Sequence, residues 1–373
     1  MGPAVWHPPG LLPIEIVPSA RFDVAHAKGP SAGAPADGLR RSDATHLFSK
    51  RKSWQTTNNR SDLSAISMTH GPTTIRSKGA CIYCGRSGTK LTDEHILPFF
   101  LGGVHILKEA SCEACAKITS RFELDVARHL WGDARASFAA PTRRKKARKT
   151  NIVLNDPRYP DHQITVPYSE YPGMMVFYIM NIAGALLALP DDVDQSGAWV
   201  LTSISDDKRI KTFEQKYPGR LIASFRHVPE SFGRLIAKIG YGQILCSLDP
   251  GDFEPICLPY ILGGNSNLSY IVGGRQTLPP AQPGIGYELA SHFFGTSHQG
   301  VLLAEVRMVA NCQTPVYHVV VGKVTGEEQV ANVLAKLEAT CTISITNEAP
   351  YSPPSDEQLH WVPRLWPLPI LSQ

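Results

Sequence analysis

No stretch of this 373-residue chain is long and apolar enough to read as a membrane span. The nearest approach, residues 174–189, lies between Pro172 and Pro190 and is interrupted by Asn181 and Gly184. It falls short of the ~20 apolar residues a spanning helix needs and reads as a buried helix. The N-terminal residues do not read as a secretory leader, since GLLPIEIV is short, carries Pro and Glu, and follows no basic segment. Residues 1–70 contain no cysteine and no sustained apolar period; Gly, Ala, Pro, Ser, Asn and charged residues dominate, as expected of a disordered extension. Met68 is a candidate natural start. Neither Gly263-Gly264 nor Gly273-Gly274 is followed by the Lys-Ser/Thr of a phosphate loop, so both pairs read as turns between strands. There is no internal repeat. These absences predict a soluble, cytoplasmic protein with no membrane partner.

Chemistry is concentrated in residues 81–130. Four of the eight cysteines form two C-x-x-C pairs, Cys81/Cys84 and Cys112/Cys115, separated by 27 residues. Four thiolates on two tight knuckles are the ligand set of structural zinc. A redox dithiol would need a βαβ context and gives no reason for a second pair. Cys246, Cys257, Cys312 and Cys341 are scattered singly and read as buried free thiols in a reducing compartment.

Between the pairs, residues 91–97 read as a strand stopped by Pro98, residues 99–103 as a loop ending in Gly102-Gly103, and residues 104–107 as a second strand. A helix follows, with Ser111 as N-cap and Glu113 in its first turn. Cys115, Ile118, Phe122 and Val126 recur at three- and four-residue steps and give it one buried stripe.

In this order, Cys81-x-x-Cys84, Glu94-His95-Ile96-x-Pro98, Leu101-Gly102-Gly103 and Cys112-x-x-Cys115 resemble the HNH endonucleases, the ββα-metal nucleases, in the subgroup held by two zinc-binding C-x-x-C pairs. The resemblance covers about fifty residues. It implies that His95 is the general base and that Glu94 helps hold a catalytic Mg²⁺ or Mn²⁺. The residue types suit those tasks: an imidazole of pKa about 6.5 takes a proton from water at neutral pH, and a carboxylate such as Glu94 or Asp93 suits a hard cation placed on the phosphate.

Two positions depart from the family pattern. Its asparagine before the third cysteine is replaced within Lys108-Glu109-Ala110, and its metal ligand after the fourth is Ala116. Thr119 and Ser120 share the face of Ala116, whereas Glu123 lies two turns, ~10 Å, further on. Glu109 and Glu113 are the nearest acidic substitutes. The alternative reading is therefore a zinc-stabilised nucleic-acid-binding module that has lost cleavage; a zinc knuckle for protein contacts is a third.

Residues 116–150 hold ten Lys or Arg and three Asp or Glu, against a net +4 for the whole chain. Arg143, Arg144, Lys145, Lys146, Arg148 and Lys149 form a run suited to phosphate neutralisation, with DNA the expected partner. The expected organisation is a disordered 1–70, an HNH-like module at 71–140, a basic linker at 141–150, and a larger domain at 151–373, a candidate for target recognition. Strand-like runs in this last part (NIVL, HQITV, WVLTSI, LIASF, LSYIV, GVLLAEVRMV and VYHVVVGKV) and a helix over residues 230–245 make the fold class α/β in the broad, α+β sense. His292, His298 and His318 read as structural.

Overall fold

The zinc-spaced stretch folds as a hairpin feeding a helix. Strand β1 (Thr74–Ile75) pairs in parallel with β3 (Ile106–Cys112), which pairs antiparallel with β2 (Leu91–His95). Helix α1 (Glu113–Asp125) leaves directly from β3. This is a computed structural model, and it describes residues 74–142, 149–156, 159–218, 225–275, 277–282 and 286–340. The 1–70 extension, most of the basic run (143–148), LIASF apart from Phe225, and Cys341 lie outside the described residues.

After α1 come a π-helical turn (Val126–Leu130), α2 (Gly132–Ser137) and two antiparallel pairs, β4 (Asn151–Asp156) with β5 (Tyr159–Pro167) and β6 (Met175–Ile179) with β7 (Val200–Ile204). Helix α3 (Asp207–Lys216) starts where the Asp206 carboxylate accepts from the Lys208 and Arg209 amides, an N-cap. Then follow α4 (Pro229–Ile244), β8 (Glu254–Pro255), α5 (Leu258–Leu262) and β9 (Val272–Gly274). Long strands β10 (Tyr287–Gly295), β11 (Gln299–Met308) and β12 (Tyr317–Thr325) form an antiparallel meander, extended by β8 and β9 on β12; α6 (Glu327–Thr340) comes last. The mixture of helices and mainly antiparallel sheets makes the fold α+β, as expected.

Helix α4 is the centre. Phe232, Leu235, Ile236, Ile239, Tyr241 and Ile244 are all buried, so it is apolar on nearly every side and must be enclosed. Glycines let neighbours approach: a Cβ on Gly240 would lie 2.7 Å from Val319 on β12, and one on Gly242 would lie 3.3 Å from Ile96 beside β2. One continuous core therefore runs from the cysteines through α4 to the large sheet. Two buried hydrogen bonds stitch it, Tyr241 Oη donating to Ile82 O at 2.6 Å and Trp131 Nε1 donating to Val176 O at 2.5 Å. A smaller cluster of Ile152, Leu154, Val166, Tyr168, Tyr171 and Phe213 packs α3 on β4 and β5.

Several local expectations are corrected. The first strand ends at His95, and the second begins at Ile106 and runs through Ser111 to Cys112. Ser111 is therefore a strand residue; Cys112 is the N-cap and makes no side-chain cap bond. The buried helix expected at 174–189 is strand β6 followed by a short 3₁₀ turn, Gly184–Leu187. Gly273-Gly274 lies in β9 and is no turn, whereas Gly263 does end α5 in a left-handed conformation. Of LSYIV, Leu268–Tyr270 is a 3₁₀ turn. No helix among the described residues is long and apolar enough to cross a membrane.

Candidate metal and active site

Cys81, Cys84, Cys112 and Cys115 meet where the hairpin turns into α1, their four sulfurs all within 4.8 Å of one another. A tetrahedron with metal–sulfur bonds of 2.3 Å spaces its sulfurs by about 3.8 Å. Cys84 and Cys112 Sγ are 3.7 Å apart, and none of the four cysteines is in a disulfide. The first knuckle is closed by the Gly85 amide donating to Cys81 O at 2.8 Å, and the Cys112 amide donates to Cys81 Sγ at 3.4 Å. The Cys115 amide, with the neighbouring thiols, draws Cys112 down to about 7, whereas burial raises Cys115. The quartet fits a four-thiolate metal such as zinc, and among the described residues it is the one cluster of this kind.

The second site lies under β2. Strand alternation turns Glu94 inward, and its carboxylate meets Lys238 Nζ at 2.8 Å. Glu123, near the C-terminal end of α1, meets the same nitrogen at 2.8 Å. The ammonium also donates to His95 O and, at 3.4 Å, to Ile96 O. Lys238 is thus held by four oxygens, two from carboxylates and two from backbone. Its side chain is 1% exposed, Glu94's 11% and Glu123's 23%.

One ammonium between two carboxylates leaves an excess negative charge in a place of low solvent access. Burial raises the Glu94 carboxyl above its usual range, a shift that Lys238 opposes and Glu123 reinforces. Burial alone would lower Lys238, but Glu123 and then Glu94 outweigh it and hold the ammonium charged, raised above its usual value. The two upward shifts agree physically, since both report a pocket that favours added positive charge.

The expected site residues are only partly brought together. Glu94 is in the oxygen cage; His95 contributes its carbonyl there, while its half-buried ring lies 6.0 Å from that of Phe99. Asp93 is exposed, ion-paired with Lys108 and held below the usual carboxylate range by it. Glu109 and Glu113 are exposed, Glu113 pairing with Lys117, and neither takes the place left by Ala116. Thr119 is buried and donates to Ala116 O. Of the basic run only Lys149 is described, and it is exposed.

The residue sequence reading missed is Lys238. A lone charge within RLIAKIGYG, on a helix apolar all round, was the available signal, because a lysine forced into a core needs an acidic partner. Glu123 lies two turns along α1 from Ala116, and it reaches the cage because Lys238 of α4 comes to it. No family model, curated protein or solved structure matches the chain.

Proposed function

We propose that this protein is a zinc-stabilised, metal-dependent endonuclease of the HNH type that hydrolyses phosphodiester bonds in nucleic acid, with DNA the favoured substrate. The observation that carries the reading is the convergence of Glu94 and Glu123 on one cation inside a cysteine-closed ββα frame. A cage of carboxylate and carbonyl oxygens is the donor set that Mg²⁺ or Mn²⁺ takes. Glu123 then supplies what Ala116 lacks. Bound there, the divalent ion would stabilise negative charge developing on the phosphate.

The chain's own groups have separable tasks. The cysteine quartet with zinc fixes the end of β3 against the start of α1. Glu94 and Glu123 offer the carboxylates, and Lys238 neutralises them when the ion is absent, keeping β2 packed on α4. His95 is the proton acceptor from the attacking water, the role its resemblance to the family assigns.

A second reading is favoured by one observation, that Lys238 is already centred in the cage. If it never yields, the protein binds nucleic acid without cutting it. Incubating supercoiled plasmid with wild type and His95→Ala in Mg²⁺, Mn²⁺ or EDTA separates the two. The nuclease reading expects nicking by wild type with metal, none in EDTA, and a loss of about 10² to 10⁴-fold in His95→Ala with zinc content unchanged.

A further inference from the structure

A cleft of about 750 Å³ opens between α1 with its π-helical extension, the start of α4 and the end of α5. Four arginines line it: Arg121, Arg128, Arg226 and Arg234. The acidic groups beside them are already matched. Asp125 accepts from Ser231 Oγ at 2.6 Å and lies 3.5 Å from Arg226, while Glu230 pairs with Arg234 at 2.5 Å. Arg121 and Arg128 are exposed and, among the described residues, make no ion pair. The cleft therefore carries positive charge that no group of the described chain answers.

The positions are built rather than scattered. Arg234 is held in place, its side chain only 18% exposed, over Gly263, where a Cβ would come within 2.8 Å of Nη1. The Ser231–Asp125 hydrogen bond ties one wall to the other. Arg121 and Arg128 are seven residues apart, about 10 Å along the axis, on one side of the helix. Measured along a duplex axis, that matches the rise of about three nucleotides of one strand, at ~3.4 Å each. Arg128 sits on the π-helical turn, Val126–Leu130, a local irregularity of the kind found at functional sites. Arg234 precedes Lys238 by one turn of α4, about 6 Å, so the cleft leads toward the carboxylate cage.

We propose that this cleft is a track for the phosphate backbone of the nucleic acid, with Arg121 and Arg128 as its main contacts. The inference rests on the nucleic-acid reading above and is independent of whether the strand is cut. It also places on α1 and its π-helical extension contacts that the sequence reading assigned to the run at 143–149.

The test uses the full chain with a fluorescent 30-base-pair DNA duplex, its affinity read by anisotropy over a series of salt concentrations. Arg121→Gln/Arg128→Gln is compared with wild type and with a variant in which Arg143, Arg144, Lys145 and Lys146 are neutralised. Both cleft substitutions are on exposed residues, and zinc content and melting temperature are measured on the same samples. The expected result is a salt slope reduced by about two units with fold and zinc unchanged. Unchanged slope and affinity in a folded cleft variant, with wild type binding normally, overturn the track and leave the nucleic-acid reading standing. Absence of DNA binding by wild type overturns both, as does preferential capture of polyglutamate, which would make the cleft a seat for an acidic protein. Binding without plasmid nicking upholds the track and removes only the nuclease reading.

Discussion

Replacing Lys238 by methionine removes the ammonium while keeping most of the stem's volume, so the change is mainly one of charge. Breaking a buried pair by removing one partner typically costs about 3–5 kcal/mol, because the other charge is left without compensation. Here two carboxylates are stranded, but unequally. Glu123, at 23% exposed, can recover water; Glu94, at 11%, recovers little. The lower end, about 3 kcal/mol at neutral pH, is therefore expected, or roughly 5–10 °C in Tm at ~2–3 °C per kcal/mol. The pH dependence has a definite sign. With the lysine's opposing influence gone, the already raised Glu94 carboxyl moves further up, above its unfolded value of ~4.3. A folded pKa raised in this way gives stability that is full below the unfolded value and lost as pH rises through the folded one. The deficit of Lys238→Met against wild type should thus shrink on acidification toward pH 5 and be largest at pH 7.5. Lys238→Met/Glu94→Gln, with the stranded charge removed, should recover much of the loss. Mn²⁺ at a hundredfold excess over its dissociation constant should return up to about 2.7 kcal/mol to the single variant. Calorimetric melts at the two pH values decide the matter. A deficit under about 1 kcal/mol, or one independent of pH, would refute the charge-neutralising role assigned to Lys238.

Freshly purified protein should carry one zinc per chain by elemental analysis; Cys112→Ser should lose it and expose the hairpin to proteolysis, since the binding energy of such a site is folding energy. Gly240→Ala should destabilise by about 1–2 kcal/mol in a urea melt despite a helix-propensity gain of ~1 kcal/mol, because the new methyl meets the stiff Val319 at 2.7 Å; an unchanged or raised midpoint would show that the α4–β12 contact yields freely.

Much of the metal frame was legible because its punctuation is local. The cysteine spacing, Pro98 and Gly102-Gly103 mark the turns of the hairpin, and α1 carries its apolar stripe in a 3.6-residue rhythm. The Ser111 cap failed because pairing decides where a strand ends: Leu91 opposite Cys112 keeps Ser111 in the sheet, which no capping preference reveals. The helix expected at 174–189 failed for a related reason. Met175, Val176, Phe177 and Tyr178 are all buried, so β6 shows a continuous apolar run in place of alternation, and periodicity cannot tell it from a buried helix. The oxygen cage was legible only in halves. Glu94 stood out beside His95, but its partners come from residues 123 and 238, and only the packing of α4 across α1 joins them. The Asp125–Ser231 tie likewise spans residues that sequence reading assigned to separate domains.

The proposed nuclease reading has Glu94 and Glu123 together hold the cation that cuts. Its most direct test is plasmid nicking by wild type and Glu123→Gln over a Mn²⁺ titration. The claim predicts metal-dependent nicking by wild type and at least a tenfold higher Mn²⁺ requirement for Glu123→Gln at unchanged zinc content. Equal metal requirements in the two proteins, or no nicking by wild type at any Mn²⁺ concentration, would contradict it.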